Sequence, residues 1–422
     1  MNDRITARYL IETPFDLEAA CAVMAGEQSC GTFTRLAAET DELRAAHAAR
    51  VESIDPLDSA GSPALPMPTR PQPAGTRYRR ALVTLSWPVD NLGASLPTLM
   101  ATVAGNLFEL KEFSGLRLMD LELPRAFADA YPGPQFGIEG TRRLTGIALG
   151  PLIGTIIKPS VGLSPSATAA VVQDLLDGGV DFIKDDELQA NGPHNPLKAR
   201  VDAVMPLVHE HQQRTGRKVM VAFNITGDID EMREHHDYVA AAGGTCVMVA
   251  LNAVGLAGVV HLRRYSALAI HGHRAGWGML SRAPLLGMDF SAYQTLWRTA
   301  GVDHLHVNGL DNKFSEADAS VIRSAQACLA PLFPPDGPAH RVMPVFSSNQ
   351  TACQAVDTVE SLGGVSDLIV TAGGGIMAHP DGIAAGVRSL RQAYDAAAQG
   401  ISLHAYAEHH PELAAALKTF CP

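Results

Sequence analysis

From about residue 145 onward, short apolar runs rich in β-branched residues alternate with amphipathic stretches of helical periodicity. Eight of these runs predict strands: Ile153–Lys158, Val180–Lys184, Val219–Asn224, Cys246–Ala250, Ala267–His271, His304–Val307, Val342–Phe346 and Leu368–Thr371. The segments between them include helices predicted at Ala167–Leu176 and Gly382–Ala398. Eight βα units over about 250 residues is the size of a (β/α)8 TIM barrel, an α/β fold. A doubly wound open sheet is the alternative, but eight parallel units at this spacing favour closure.

The first 135 residues have a different pattern, which predicts a smaller α+β domain of the ferredoxin-like type. Strands are predicted at Arg4–Glu12 and Arg80–Trp87, and helices at Pro14–Met24 and Leu96–Phe108. The segment 52–77 is rich in Pro, Ser and Gly and predicts a long surface loop. We therefore expect an N-terminal domain over residues 1–135 and a catalytic barrel with C-terminal helices over residues 136–422.

Composition narrows the classes of function. The chain has 422 residues, of which 46% are hydrophobic, so a sizeable core is expected and wholesale disorder is excluded. Its 33 basic and 44 acidic residues give a formal charge of −11, which argues against nucleic acid or an anionic membrane surface as the main partner. No secretion signal pattern opens the chain, and the longest apolar stretch, Leu144–Ile157, is too short and too interrupted by Gly and Pro to span a bilayer.

The cysteines predict a cytoplasmic protein. Six are scattered without a CxxC pair: Cys21, Cys30, Cys246, Cys328, Cys353 and Cys421. In a chain of this length we expect all of them to be reduced thiols.

Polar residues accumulate at the carboxyl ends of the predicted barrel strands, where barrel enzymes place their chemistry. In chain order these ends carry Lys158; Lys184, Asp185, Asp186 and Glu187; Asn224; His271, His273 and Arg274; His304 and His306; Ser347; and Gly373, Gly374 and Gly375. A purely structural barrel needs no such accumulation, so the pattern predicts an active site.

The acidic run after the second barrel strand is a candidate metal site. Lys184 and Asp186 alternate along a strand and so face the same side, and Glu187 joins them where the strand ends. Two carboxylates with open positions suit a hard cation such as Mg²⁺. A simple ion pair with the lysine, a helix cap or a solvated turn is the alternative.

The glycine turn after the last strand is a candidate anion site. Successive backbone N–H groups at Gly373, Gly374 and Gly375 precede a helix and can surround an anion. The alternative is an ordinary tight turn. Arg274, His273 and His306 at neighbouring strand ends could add anion contacts, although a barrel histidine is often only a packed core residue.

Taken in order, these motifs resemble the large chain of ribulose-bisphosphate carboxylase (RuBisCO) over nearly the whole chain. The matching segments are EQSCGTFT, AGNLFELK, GTIIKPSVGLS, GGVDFIKDDE, IHGHRAG, GVDHLHVNGLDNK, VMPVFSS and GGGIMAHPDG. The metal-binding signature GGVDFIKDDE is long and specific.

The resemblance implies roles for the strand-end residues. Lys184 would react with CO2 as an activator, and the resulting carbamate would bind Mg²⁺ together with Asp186 and Glu187. Lys158 and His273 would handle protons at the reacting carbon.

The resemblance also implies substrate contacts, some of them from a second subunit of a homodimer. Lys313, in a lid after the sixth strand, would contact CO2 or a carboxylate. One phosphate would be bound by Arg274, His306 and Ser347. The other would be bound by Gly373 and Gly374 together with Thr32 of the partner subunit. Glu27 and Asn106 of the small domain would likewise reach the partner's site.

The chain departs from the carboxylase pattern at several positions. Ser160 stands for the second lysine of the KPK motif, Ile156 for a threonine, Ser348 and Asn349 for a glycine pair, Phe33 for the tryptophan of a GTW motif and Trp277 for a histidine. Losing several binding groups together argues against CO2 fixation on ribulose bisphosphate. The pattern resembles form IV, the RuBisCO-like proteins, which keep enolisation chemistry but act on other phosphorylated sugars or sugar acids.

The leading hypothesis is therefore decarboxylation of a β-keto acid phosphate such as 3-oxo-isoapionate 4-phosphate. It rests on the retention of Lys313, Lys158 and the metal-binding residues. One alternative is an enolase or isomerase of a (methylthio)pentulose phosphate in methionine salvage, although Asn106 stands where that group is expected to have lysine. A second alternative is a non-catalytic relative that binds a sugar phosphate.

Overall fold

The computed structural model describes residues 4–31, 36–67, 72–333 and 337–421. Its strands are β1 Arg4–Thr13, β2 Arg50–Ala60, β3 Tyr78–Pro88, β4 Gly115–Glu122, β5 Leu152–Ile156, β6 Phe182–Lys184, β7 Met220–Asn224, β8 Cys246–Ala250, β9 Ala269–His273, β10 Leu286–Met288, β11 His304–His306, β12 Met343–Phe346 and β13 Ile369–Thr371. Its α-helices are α1 Leu17–Glu27, α2 Asp41–His47, α3 Leu96–Ala104, α4 Arg125–Ala130, α5 Gly137–Thr145, α6 Pro165–Gly178, α7 Leu197–Thr215, α8 Ile229–Ala241, α9 Leu251–Tyr265, α10 Trp277–Ser281, α11 Phe290–Ala300, α12 Asp318–Leu329, α13 Ala355–Ser361, α14 Gly373–Met377, α15 Ile383–Ala398, α16 Leu403–Ala407 and α17 Pro411–Phe420. Within the described ranges, no helix is both long enough and apolar enough to cross a membrane.

One compact unit comprises Met1–Pro132, Gly276–Thr299 and Leu332–Ala339. It holds a five-stranded sheet in the order β10-β4-β1-β3-β2, in which β1 is antiparallel to both of its neighbours. Alternate residues of β1 are buried on one face, as expected for a sheet with one covered side. The hydroxyl of Tyr9 donates to the carbonyl of Val103 at 2.7 Å, which attaches α3 to this face.

The prediction of a loop over residues 52–77 is wrong for its first part. Residues 52–60 belong to β2, which pairs antiparallel with β3 and sets Ile54 opposite Val83. β2 is the edge strand of the sheet and most of its side chains are exposed. An edge strand tolerates Pro56 and several polar residues, so it lacks the apolar alternation by which strands are recognised.

Two further elements of this unit differ from the prediction. The first helix begins at Leu17 rather than at Pro14, because the Asp16 side chain accepts a hydrogen bond from the backbone of Ala19 and caps it. β4 was not predicted. Its Arg117 is largely buried and donates to the carbonyl of Ser281 at 2.9 Å, so a charged residue interrupts the apolar pattern inside the sheet.

The second compact unit comprises Gly133–Ala275, Ala300–Pro331 and His340–Pro422. Its eight parallel strands close into a barrel in the order β5-β6-β7-β8-β9-β11-β12-β13. Each barrel strand overlaps one of the eight predicted strands, so the (β/α)8 prediction is confirmed and the open sheet is excluded.

The barrel core leaves one end of the strands available for chemistry. An apolar layer is built from residues that begin the strands, with Ile138 of α5 packed against it. The strand residues are Leu152, Phe182, Met220, Cys246, Ala269, Met343 and Ile369. This layer and α5 fill the N-terminal end of the barrel, so the polar strand ends lie at the opposite mouth.

The prediction of six reduced thiols is wrong for two of them. Cys353 lies in a 3₁₀ helix, Ala352–Gln354, and forms a disulfide with Cys421, which directly follows α17. Their Cα atoms are 5.8 Å apart although 68 positions separate them in sequence. Cys30 is half-buried and free. A pairing at this separation depends on how α17 packs against the barrel, which cysteine spacing does not reveal.

Breaking this disulfide should lower the free energy of unfolding by about 4 kcal/mol, the loop-closure value for a ring of this size. Thermal unfolding of Cys353→Ser measures the change, and Cys30→Ser is the matched control because its thiol is free. Reductant should lower the Tm of the unaltered protein and leave that of Cys353→Ser unchanged. Equal Tm values for the two variants would contradict the prediction.

Candidate active site

Lys184 ends β6 as a fully buried amine. Its Nζ donates to the carbonyl of Asp185 at 2.7 Å and to Oε2 of Glu187 at 3.3 Å. Burial lowers the pKa of Lys184, and the nearby carboxylates only partly offset this effect. A lowered pKa increases the neutral fraction of the amine, which is the form that reacts with CO2.

Glu187 lies between Lys184 and His273. Burial is the largest single effect and would raise the pKa of Glu187, but the charge of Lys184, further neighbouring charge and hydrogen bonds to the carboxylate together outweigh it and lower the pKa to about 2. Burial lowers the pKa of His273 to about 3, with the charge of Lys184 as the next cause, so the imidazole is neutral. The backbone of Ala275 donates to its Nδ1 at 3.2 Å, which leaves the ring proton on Nε2, 3.5 Å from Oε2 of Glu187.

Lys158 lies just beyond β5 and faces the same cluster. Its Nζ donates to Oδ2 of Asp186 at 2.5 Å and to Oγ of Ser160 at 2.9 Å. The Lys158 side chain is 37% exposed, so a ligand at the barrel mouth can reach it. Ser160, which stands where the carboxylase pattern has a second lysine, here orients Lys158 instead of adding charge.

The cluster fits a carbamate-assisted metal site. In the described part of the chain, no group of three His, Cys, Asp or Glu residues could hold a metal ion. The unmodified chain offers two carboxylates, Asp186 and Glu187, and a third oxygen ligand would arise only from CO2 bound to Lys184. The buried Lys184 amine lies at 3.3 Å from Glu187, where a carbamate would complete an oxygen-rich set. Mg²⁺ and the carbamate remain predictions.

Asp185, in the same acidic run, has a structural role. Its Oδ2 is 3.0 Å from Nη2 of Arg200 in α7, and both side chains are 1% exposed. The backbone of Asn224 donates to the same carboxylate at 2.9 Å, and the Asn224 amide donates to the carbonyls of Asp186 and Glu187. These bonds hold the backbone that carries the candidate metal ligands. Arg200 was missed because nothing in the sequence of α7 distinguishes it from a surface arginine.

The predicted phosphate residues at the ends of β11 and β12 do lie together. Nδ1 of His306 is 3.0 Å from Oγ of Ser347, and its Nε2 is 2.8 Å from Nε2 of His271. Burial lowers the pKa of His306 and of His271 well below the ordinary value, so both rings are neutral.

Arg274 is engaged by a carboxylate that sequence reasoning missed. Its Nη2 is 2.6 Å from Oε2 of Glu316, and the Asn308 amide donates to the same oxygen at 2.8 Å. The Glu316 carboxylate also accepts from the hydroxyl of Ser320 at 2.9 Å. Glu316 follows the predicted lid and is not at a strand end, whereas the candidate residues were chosen from the carboxyl ends of the barrel strands.

The predicted lid residue Lys313 and the predicted glycine turn have different positions relative to the cluster around Lys184. In the described part of the chain, Lys313 makes no hydrogen bond or ion pair with the β6 residues, and its exposed Nζ lies 5.4 Å from the centre of the Phe314 ring. Gly373 begins α14, and a Cβ there would lie 3.5 Å from Cε of Lys158. A Cβ on Gly374 would face open space. The prediction of a glycine turn ahead of a helix is therefore wrong, because Gly373, Gly374 and Gly375 are the first residues of α14, and Gly373 lies beside Lys158.

The predicted residues of the small domain lie outside the barrel unit. Glu27 ends α1, and Asn106 begins a 3₁₀ helix. Thr32 and Phe33 lie outside the described residues. Because these residues are expected to complete a partner's site, their roles remain predictions.

At the replaced glycine pair, the backbone keeps the glycine-like conformation. Ser348 and Asn349 have φ of 70° and 63°, in the left-handed region. Asparagine is among the residues that tolerate this region best, and the Ser348 hydroxyl contacts Oδ1 of Asn308 at 3.1 Å. Both positions therefore adopt a backbone conformation that favours glycine, although neither residue is glycine.

Comparison with known proteins identifies the family. Residues 137–420 match the catalytic domain of the ribulose bisphosphate carboxylase large chain, and residues 2–127 match its N-terminal domain. The chain belongs to the RuBisCO large-chain family. The resemblance inferred from the motifs is thereby confirmed, as is the fold of a TIM barrel with a smaller α+β domain.

Several relatives within the RuBisCO family are RuBisCO-like proteins. The chain is 58% identical over 419 residues to a 3-oxo-isoapionate-4-phosphate transcarboxylase/hydrolase of Xanthobacter autotrophicus, covering 99% of each chain. It is 46% identical to a 3-oxo-isoapionate-4-phosphate decarboxylase of Rhizobium etli, covering 99% of this chain and 98% of that one. A crystal structure of a rubisco-like protein from Burkholderia fungorum superimposes with a TM-score of 0.91 at 49% identity, covering 99% of this chain and 100% of that one.

Proposed function

We propose that the protein acts on 3-oxo-isoapionate 4-phosphate as a carboxy-lyase, with loss of the carboxyl group as its first step. The observation that carries this proposal is the 58% and 46% identity, over 99% of the chain, to relatives named for that substrate. The buried Lys184 cluster with Lys158 beside it supplies the groups that such a step requires.

The residues at the barrel mouth have distinct roles in the proposed reaction. Cleavage of the bond to the carboxyl carbon leaves an electron pair that is shared with the neighbouring carbonyl as an enolate. Lys158 is partly exposed and held by Asp186, and it returns a proton to the carbon that has lost CO2. Bound Mg²⁺, held by Asp186, Glu187 and a carbamate on Lys184, would supply positive charge beside the developing oxyanion. His273, neutral with its proton on Nε2, donates to a substrate oxygen.

Phosphate binding fixes the substrate so that only one carbon reacts. Arg274 is the strongest candidate because its planar guanidinium can bind two phosphate oxygens at once. The backbone at Gly373 lies next to Lys158, and together with Gly374, where a Cβ would face open space, it supports a second anionic contact.

The second candidate function differs in the fate of the carboxyl group. The Xanthobacter relative is named a transcarboxylase/hydrolase, and its identity to this chain, 58%, exceeds the 46% of the Rhizobium decarboxylase. A transcarboxylase moves the carboxyl group to another carbon instead of releasing it, and a hydrolase adds water. Retention of Lys313, the predicted carboxylate contact, is compatible with both outcomes.

Labelling the carboxyl carbon of the substrate with ¹³C separates the two candidates. The purified protein is activated with Mg²⁺ and bicarbonate, diluted and then given the labelled keto acid. Decarboxylation should release the label as CO2, whereas transcarboxylation should retain it in a non-volatile product. A (methylthio)pentulose phosphate is the comparison substrate. If the protein tautomerises it and leaves the keto acid untouched, the proposed function is wrong.

We further propose that the protein is a cytoplasmic homodimer whose domains divide near residue 135. Family membership supports an assembly in which Glu27, Thr32 and Asn106 complete the site of the partner chain. The net charge of −11 does not oppose binding of a phosphorylated sugar acid, because Lys158, Arg274 and a bound metal would gather positive charge at one mouth.

A further inference from the structure

A continuous series of hydrogen bonds runs through the barrel interior from the mouth to α5. We define the histidine chain as His306, His271 and His304, which are all buried. Its four links are Ser347 Oγ to His306 Nδ1 at 3.0 Å, His306 Nε2 to His271 Nε2 at 2.8 Å, His271 Nδ1 to His304 Nδ1 at 3.4 Å, and His304 Nε2 to Thr141 Oγ1 at 2.8 Å. The ring of Phe182 packs against the rings of His271 and His304, with centroids 5.2 and 5.9 Å away.

The inner end of this series fixes the position of one proton. Thr141 is fully buried in α5, and its hydroxyl lies 2.5 Å from the carbonyl oxygen of Gly137. A carbonyl can only accept, so the single proton of the Thr141 hydroxyl is committed to Gly137. Oγ1 of Thr141 can then only accept from His304, which places the ring proton of His304 on Nε2.

Each imidazole of the histidine chain carries one ring proton. Burial lowers the pKa of His304 to about 3 and that of His271 and His306 well below the ordinary value. A neutral ring has one donor and one acceptor nitrogen, so the state of one nitrogen determines the other. Two facing nitrogens that both carry protons clash, and two that both lack protons repel each other, so each nitrogen–nitrogen link holds one proton.

The proton order therefore follows link by link. His304 is protonated on Nε2, so its Nδ1 accepts and His271 donates from Nδ1. The Nε2 of His271 then accepts, and His306 donates from Nε2. The remaining nitrogen, Nδ1 of His306, accepts the proton of the Ser347 hydroxyl. Thr141, although distant in sequence, thus determines which way Ser347 donates.

We propose that Thr141 and the histidine chain are positioning residues that turn the hydroxyl proton of Ser347 inward. Ser347 then presents only lone pairs to a ligand at the barrel mouth. It accepts a hydrogen bond from a ligand hydroxyl or ammonium group, and the anionic oxygens of a phosphate are bound by donors such as Arg274. The part that concerns the ligand rests on the proposed function, whereas the proton order belongs to the free protein.

Neutron diffraction from a crystal of the perdeuterated protein tests the proton order directly. Deuterium is expected on Nε2 of His306, Nδ1 of His271 and Nε2 of His304, with the Ser347 deuteroxyl directed at His306. The opposite order on any of the three rings overturns the proposal. This experiment needs no variant and no turnover, so a failure of the proposed function would leave its outcome intact.

Binding of inorganic phosphate tests the consequence at the mouth. Because the Ser347 hydroxyl has no proton to offer an anion, Ser347→Ala should not weaken phosphate binding measured by calorimetry. A loss of about tenfold or more, the size expected for a lost charge-assisted donor, would overturn the proposal.

Variants of Thr141 test whether this residue determines the direction in which the Ser347 hydroxyl donates. Thr141→Val removes the fixed acceptor at nearly constant volume, so the histidine chain can reverse and the Ser347 hydroxyl can turn outward to an anion. In that background, Ser347→Ala should weaken phosphate binding several-fold. Thr141→Ser keeps the hydroxyl and should restore the insensitivity of the unaltered protein. Equal effects of Ser347→Ala in the Val and Ser backgrounds would contradict the role given to Thr141.

Discussion

Replacing Lys184 with alanine should abolish the Mg²⁺-dependent turnover of 3-oxo-isoapionate 4-phosphate together with its activation by bicarbonate. Only Asp186 and Glu187 would remain as oxygen ligands, and no carbamate could form. Loss of a single preorganised donor to an oxyanion costs about 10²–10³ in rate, so loss of the metal-binding set should exceed that range. Initial rates with and without Mg²⁺ and bicarbonate measure the effect.

Two further variants make this result specific to the carbamate. Lys184→Arg retains a cationic side chain but cannot form a carbamate at that amine, so it should also be inactive. Lys198→Ala removes an exposed lysine that pairs with Glu234 on the outside of the barrel, and it should leave turnover unchanged. If Lys184→Ala retains Mg²⁺-dependent turnover, the carbamate mechanism is wrong for this protein.

Replacing Arg200 with alanine should destabilise the barrel by about 3–5 kcal/mol, the range measured when one partner of a buried ion pair is removed. Arg200 and Asp185 are both 1% exposed, so the remaining carboxylate would be left buried without its counter-charge. Arg200 also donates to the carbonyls of Asn195 and Ala190, and these bonds would be lost with it. Denaturant unfolding monitored by circular dichroism gives the free energy.

Arg214 provides the matched control in the same helix. Its ion pair with Asp177 spans 3.6 Å, and the two side chains are 59% and 50% exposed. Water screens such a pair, so Arg214→Ala should cost less than about 1 kcal/mol. Similar losses for the two arginine variants would show that burial of the Asp185–Arg200 pair does not contribute as we argue.

The barrel could be predicted from the sequence because its strands are short apolar runs buried on both faces. β8 was predicted with the bounds it has, and β5 and β12 within two residues. β2 could not be recognised, since an edge strand with exposed side chains carries no apolar period. The hydrophobic pattern records burial, and it is weak wherever a strand is not buried.

In the candidate site, the contacts that could be predicted are those between residues close together in sequence. Lys184, Asp186 and Glu187 are adjacent in sequence and alternate about one strand end, so their meeting could be predicted. Arg200 and Glu316 come from α7 and from the segment before α12, and only the folded barrel brings them to Asp185 and Arg274. The Cys353–Cys421 disulfide and the link from Thr141 to the histidine chain likewise join residues that are distant in sequence.

In the ion pair between Glu316 and Arg274, the Glu316 carboxylate competes with free anions for the guanidinium of Arg274. The Glu316 carboxylate belongs to the same chain as Arg274, so its effective concentration at the guanidinium far exceeds that of a free anion. A ligand carboxylate with one negative charge gains little by replacing it. A phosphate monoester carries about two negative charges and more acceptor oxygens, so it can displace Glu316. On the proposed function, the pair would therefore favour binding of the phosphorylated sugar acid over its unphosphorylated form.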